Sequence, residues 1–174
     1  MSDNSHTAYI NLQKLIDIGR SLSREKNINI LLEKILIEAR KLSYSDGGTL
    51  YLTTDDNRLN FEIMHNESKN MFFGGTYDPV PDSIYPVKLY VDGAPNNHSV
   101  SAVCALQGET IHIEDAYTDK NYDFSGTKGF DLKHDYHSKS FLNIPLKNHK
   151  DEVIGVLQLL NSTIKYPIAN ITDV

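Results

Sequence analysis

The chain has 174 residues, which fits one domain built around one core. Hydrophobic residues make up 40% and charged residues 23%, the balance of an ordinary soluble globular fold. The net charge of −6 at pH 7 argues against sequence-independent nucleic-acid binding, where Lys and Arg must neutralise phosphates. Cys104 is the one cysteine, so no intrachain disulfide can form, in keeping with a reducing compartment. No stretch approaches about 18 consecutive apolar residues, so no membrane span is expected. The N-terminus lacks a basic region followed by an apolar run and does not read as a signal peptide. Cytoplasmic localisation is the expectation.

Two helices are expected first. Ile10, Leu12, Leu15, Ile16, Ile18 and Leu22 recur near helical spacing within residues 9–22. The polar run 23–27 interrupts that pattern, and Asn27 or Asn29 suits an N-cap. Ile28, Leu31, Leu32, Ile35, Leu36, Ala39 and Leu42 then fall on one helical face. Residues 45–48 read as a turn, 49–53 as a strand, 55–57 as a hairpin turn, and 59–65 as a second, antiparallel strand. Gly74, Gly75, Pro79 and Pro81 mark residues 66–83 as loop. Residues 84–91 read as a third strand, at an edge or irregular because it contains Pro86. Ser99 is placed to cap a short helix reaching Gln107, with Gly108 ending it. A short strand over 110–113 follows. Residues 115–137 are too long for a plain connector and are expected to hold a short helix. Residues 140–145 and 153–160 read as strands joined by the polar turn 148–151. Hairpins dominate this order. The fold class expected is therefore α+β: an antiparallel sheet with helices on one face and a ligand pocket under loops on the other.

These pieces resemble the GAF family over about residues 28–163. The resemblance rests on the long helix 28–42 and on Gly48-Thr49-Leu50-Tyr51-Leu52. It continues through residues 108–117 (GETIHIEDAY), 138–146 (SKSFLNIPL) and 152–161 (EVIGVLQLLN). The insert 121–127 (NYDFSGT) is similar to that of GAF domains attached to bacterial cyclic-nucleotide and cyclic-dinucleotide enzymes. The resemblance implies a regulatory domain that binds a small molecule and relays the signal to a downstream output domain. It implies no catalysis and no cofactor beyond a ligand, cAMP in preference to cGMP. The alternative within the family is a dimerisation and relay module with no ligand. Cyclic-nucleotide members also carry an Asn-Lys-Phe-Asp-Glu signature. Asn161 matches its first position, Ser162 stands where the lysine would, and the rest would lie beyond Val174. The expected organisation is a linker and dimerisation helix over 1–26 and a GAF domain over 27–174, cut from a longer protein without its last helix.

A cyclic nucleotide needs an apolar slot for its base, a polar group at the base edge, and N–H or hydroxyl donors for its phosphate. Helix N-termini supply such donors because their first N–H groups lack partners within the helix. Matching to the family pattern implies a site of Thr49, His65, Val100, Ser101, Phe124, Asp131, His134, Ser138 and Gln158. Asp115 is expected to cap a loop. His134 and His137, three apart, have the spacing of a metal pair but lack a third ligand, so no metal site is assigned. Cys104 lies among Val103, Ala105 and Leu106 and is expected to be a small buried hydrophobe. Bilin-binding relatives carry a His where Ala105 stands. No nucleophile–base pair stands out. Neither nucleic acid nor membrane is an expected partner. A homodimer through the first helix is, because its apolar residues face more than one direction.

Overall fold

The computed structural model describes residue 13 and residues 15–163. Helix α1 covers 15–24, and the expected helical residues Ile10 and Leu12 lie outside the described set. Helix α2 is Ile28–Ser43. Asn27 starts it by accepting the N–H groups of Asn29 and Ile30, and Tyr44 ends it in the left-handed region at φ 51°. The strands that follow are β1 (Ser45–Thr53), β2 (Arg58–Asn66), β3 (Met71–Phe73), β4 (Val87–Lys88), β5 (Tyr90–Val91) and β6 (Ala94–Pro95). Then come α3 (Val100–Gln107), β7 (Ile111–Ile113), α4 (Ser125–His134), β8 (Phe141–Lys147) and β9 (Val153–Ser162). Among the described residues no helix is long and apolar enough to cross a membrane.

The main sheet is antiparallel in the order β3-β2-β1-β9-β8-β7, with β4 on the outer end of β2. Side chains of a strand alternate between faces, and the sequence uses that alternation to build two unlike layers. Leu50, Ile63, Leu157 and Leu159 meet Leu32 and Leu36 of α2 on one face. Tyr51, Leu59 and Val156 meet Ala102, Cys104 and Ala105 of α3 on the other. A third cluster on the α3 side gathers Val100, Ile113, Ala116, Phe124 and Phe141. The long helix α2 therefore covers one face, and the short helix α3 lies on the other, the face expected to hold the pocket.

Three local expectations are corrected. Residues 45–48 extend β1 instead of forming a turn, which is made by Tyr44 alone. The glycines there serve packing: a Cβ on Gly48 would lie 2.8 Å from Leu36 Cδ1. Residues 66–83 contain β3, paired with His65 and its neighbours, where the glycines and prolines suggested loop throughout. The single strand expected over 84–91 is split, Val87–Lys88 joining β2 and Tyr90–Val91 forming a hairpin with Ala94–Pro95. Pro86 lies just before this break and takes no place in a ladder, as its missing N–H requires.

The inner pair β1–β9 is packed tightly at Gly155. A Cβ on Gly155 would fall 2.3 Å from the Tyr51 carbonyl oxygen, which is backbone and cannot swing away. Gly155→Ala is expected to destabilise the domain by about 2 kcal/mol or more, the scale of overpacking a rigid site. Urea unfolding checks this; a change under about 0.5 kcal/mol would mean that the strands separate there without cost.

Candidate functional site

Polar residues buried inside a sheet need partners, and the α3 face of this sheet carries a concentrated set. Thr49 and Gln158 are cross-strand partners on β1 and β9, and Asn143 pairs with Gln158 from β8. Ser101 comes down from the first turn of α3. All are buried, Asn143 completely. Gln158 Nε2 donates to Asn143 Oδ1 at 2.8 Å and to Ser101 Oγ at 3.1 Å, while the Tyr51 hydroxyl donates to Gln158 Oε1 at 3.2 Å. Burial pushes the Tyr51 phenol up to about 12, so it remains a neutral donor. One group is left over. Asn143 Nδ2 is buried and has no hydrogen-bond partner, a vacancy that costs on the order of 1–3 kcal/mol.

Beside this amide cluster lies an aromatic wall. Phe124 packs on Phe141 with ring centroids 5.3 Å apart, and Tyr122 meets Phe124 edge-on at 6.4 Å. Val100 joins them. Ser99 caps α3 by accepting the Ala102 N–H, and Val100, the first residue of that eight-residue helix, packs in the same cluster as the wall.

The 115–139 segment forms the outer layer and is bolted down by one carboxylate. Asp131, on the inner side of α4, is 2% exposed. Its Oδ1 accepts the Ser138 hydroxyl at 2.7 Å, and its Oδ2 accepts the Ser138 N–H at 2.7 Å and the Tyr117 hydroxyl at 2.8 Å. Asn161, in the left-handed region at φ 52°, holds the other end. Its Oδ1 accepts the N–H groups of Lys139 and Ser140, and its Nδ2 donates to the Tyr136 hydroxyl and the His137 carbonyl. Tyr136 also donates to Asp46 Oδ2 at 2.6 Å. Burial, with the Asp46 carboxylate beside it, holds the Tyr136 phenol well above its ordinary range. Burial works to raise the Asp46 carboxyl too, but the hydrogen bonds from Tyr136 and Ser68 outweigh it and leave Asp46 below its usual value.

The structure thus brings together Thr49, Val100, Ser101, Phe124 and Gln158 around the cluster, with Asp131 and Ser138 closing the outer layer. It does not bring His65 there. Ile63 and His65 share one side of β2, and Ile63 faces α2, whereas Thr49 lies opposite Met64 on the other side. A one-residue offset in a strand moves a side chain through the sheet, and that is the error in grouping His65 with Gln158. His134 is half-buried, and its ring partner is Phe130 at 4.4 Å. His137 stacks instead on Tyr117 at 4.2 Å, so the two imidazoles take different partners. Among the described residues no group of His, Cys, Asp or Glu is arranged to hold a metal. Asp115 caps its turn by accepting the Tyr117 N–H at 2.9 Å. Cys104 is buried, and its thiol is pushed up to about 12 by that burial, so it stays protonated and unreactive. Sequence reasoning missed Tyr51, Asn143 and Tyr136. Asn143 had a visible signal: it shares parity with Phe141 and alternates with Leu142 and Ile144, so it had to face the α3 side.

Asp131 accepts three hydrogen bonds inside the protein. Truncating it orphans the buried Ser138 donors. Asp131→Ala is therefore expected to lower stability by at least about 2 kcal/mol, since bonds to charged groups are worth roughly 1.5–3 kcal/mol each. In a domain of this size that is roughly 5 °C in Tm. An unchanged Tm would mean that these bonds do not hold the outer layer.

The GAF domain family model matches residues 27–169. A cGMP-specific 3′,5′-cyclic phosphodiesterase of Drosophila virilis is 24% identical over 150 residues, covering 85% of this chain and 16% of that protein. The chain thus spans about a sixth of the length of that relative. Among solved structures, the GAF domain of an Acinetobacter phosphoenolpyruvate-protein phosphotransferase superposes with a TM-score of 0.59 at 15% identity, over 88% of this chain and 77% of that one. The corresponding domain from Coxiella burnetii gives 0.61 at 16%, over 87% and 77%. The sandwiched antiparallel sheet is the fold of these domains, and the chain belongs to the GAF domain family.

Proposed function

We propose that this GAF domain is a cytoplasmic sensor that binds a purine 3′,5′-cyclic nucleotide, cAMP in preference to cGMP, between the Gln158 face of the sheet and helices α3 and α4. It passes that event to an output domain of a longer signalling protein, without turnover of the ligand. The observation that carries the reading is the buried amide cluster with its one unpaired group, Asn143 Nδ2, next to the Phe124–Phe141 wall. Asn143 Nδ2 offers one free donor to an acceptor on a purine edge, whereas guanine is matched best by Arg or Lys. The amide cluster holds Gln158 and Asn143 and no cation. The aromatic wall suits a purine face. The N-terminal N–H groups of α3 suit the cyclic phosphate. The name of the phosphodiesterase relatives adds support for a cyclic nucleotide and does not bear on the choice of base.

In the closed arrangement Val100, Phe124 and Phe141 are each no more than 6% exposed, so entry of a base requires α4 and the outer layer to move aside. That same closed packing favours a second reading, a relay module with no ligand. Thermal unfolding separates the two. A ligand that binds only the folded state adds about 2.7 kcal/mol at a hundredfold excess over Kd. cAMP should raise Tm by several degrees, 5′-AMP by much less, and Gln158→Leu should abolish the response. No shift with either cAMP or cGMP at millimolar concentration would leave the relay reading standing.

Helix α1 supports pairing of two copies, because Leu15 and Ile16 are 54% and 45% exposed on it. Sedimentation at about 100 μM should find a dimer, a concentration at which a Kd near 10 μM, about −7 kcal/mol, leaves most chains paired. Removal of residues 1–22 should leave a folded monomer, since α2 keeps its core contacts. A monomer already in the intact chain would end the dimer proposal.

A further inference from the structure

The α2 face holds a recess on the opposite side of the sheet from the amide cluster. It is a groove of about 500 Å³ bordered by Ile37, Arg40 and Tyr44 at the end of α2, by His65 on β2, and by Phe72 and Tyr77 beyond it. That volume is in the range of small-molecule sites. Its aromatic floor is preassembled: His65 meets Phe72 and Tyr77 edge-on at 5.2 and 5.4 Å, and Phe72 stacks on Tyr77 at 5.3 Å. Tyr77 is carried by a loop that a buried carboxylate anchors, Glu33 accepting the Thr76 N–H at 2.7 Å and the Thr76 hydroxyl at 3.2 Å.

Two polar atoms in this recess lack partners. His65 is 3% exposed and Arg40 9%, yet His65 Nε2 and Arg40 Nε are both buried without a hydrogen bond. Native proteins seldom leave such groups unmatched. Arg40 spends Nη2 on the Asp46 carbonyl at 2.8 Å and on Glu67 Oε2 at 3.0 Å. The Glu67 side chain is 68% exposed, so it can turn into solvent and leave the guanidinium to another anion. Lys41 on the rim is already paired with Glu38 at 2.8 Å, so Arg40 is the cation the groove can offer once Glu67 turns away. An aromatic border with an unpaired imidazole and a releasable guanidinium matches an aromatic ring bearing one carboxylate.

We propose that this groove is a second ligand site, taking a small aromatic monocarboxylate whose ring lies on Phe72 and Tyr77 and whose carboxylate accepts from Arg40 and His65. The site is independent of the cyclic-nucleotide reading. Arginine suits the task because its planar fork meets a carboxylate in two places.

The test is an NMR titration of the full chain, ¹⁵N-labelled, with indole-3-acetate. Its uncharged isostere indole-3-acetamide and the ringless acetate serve as controls. The expected result is saturable movement of the His65 imidazole signals and of the Phe72 and Tyr77 amides with indole-3-acetate, with the other two binding at least tenfold more weakly. Tyr77→Ala should weaken binding fivefold or more. Arg40→Lys should do the same, because a point charge cannot replace the fork. Should Arg40→Lys fail to fold, Tyr77→Ala and the three-ligand comparison decide the matter alone. Equal affinity for the amide, movement confined to Ser101, Asn143 and Gln158, or no movement at about 10 mM would each overturn the proposal.

Discussion

Because β1 and β9 form the inner pair of the sheet, each has a strand on both edges and a helical layer on both faces, and their central positions are closed to water. Alternation then forces a decision at each residue. Leu50, Leu157 and Leu159 answer to α2, while Thr49, Tyr51, Val156 and Gln158 answer to α3. The α2 side of these two strands is apolar at Leu50, Leu157 and Leu159. The α3 answer contains hydroxyls and amides, which must be matched with one another or with something else. Gln158 is the centre of that match, since its two amide atoms engage Tyr51, Ser101 and Asn143 from three elements. The interaction fixes the depth of α3 against the sheet and, by using up the Asn143 oxygen, leaves the Asn143 nitrogen with nothing.

The outer layer is built on a different principle. Residues 115–139 contribute few aliphatic side chains to any core cluster, so burial alone does not hold them. Polar clamps do. Asp131 ties α4 to Ser138 and Tyr117, and Asn161 ties residues 136–140 to the end of β9. Segments held by a few hydrogen bonds over modest apolar contact are the ones that open locally at low cost. The two layers thus differ in how they are held: the sheet and its buried amides by packing on both faces, the outer layer by polar clamps.

Much of this was legible in the sequence, and the failures share one cause. Periodicity located α2, and its Asn27 cap could be read directly, as could Ser99 and Gly108 at the two ends of α3. Those are local signals, settled within a turn of helix. The strands 58–66, 141–147 and 153–162 were visible from alternation to within a few residues. What misled were residues whose meaning depends on a neighbour distant in sequence. Gly47 and Gly48 look like a turn until Leu36 is seen pressing on Gly48. His65 looks like a partner for Gln158 until the β1–β2 register, with its irregularity at Leu50 and Tyr51, assigns it to the α2 face. For Asp131, nothing nearby in the sequence announces that Tyr117 and Ser138 bond to it.

The same distant pairings show how the covered site and the chain's exit are joined. Asn161 holds the outer layer through its side chain while its own N–H donates to the Ser140 carbonyl. Two residues later, the Thr163 N–H donates to the carbonyl of Tyr44, the residue that ends α2. Ser162 reaches the same corner, its hydroxyl donating to the Ser43 carbonyl. The clamp on the outer layer, the last turn of α2 and the path of the chain beyond β9 thus meet within three residues. Coupling between sites requires an element with two discrete arrangements that both ends can bias. Asn161, held in the left-handed region by bonds to one segment, is the residue through which such an element would act here. With residues 136–140 in place, all of its side-chain bonds are made. With them released, its amide loses every one of those partners at once, and the strain of φ 52° loses the bonds that offset it. Release of residues 136–140 would therefore bear directly on the backbone at the end of β9.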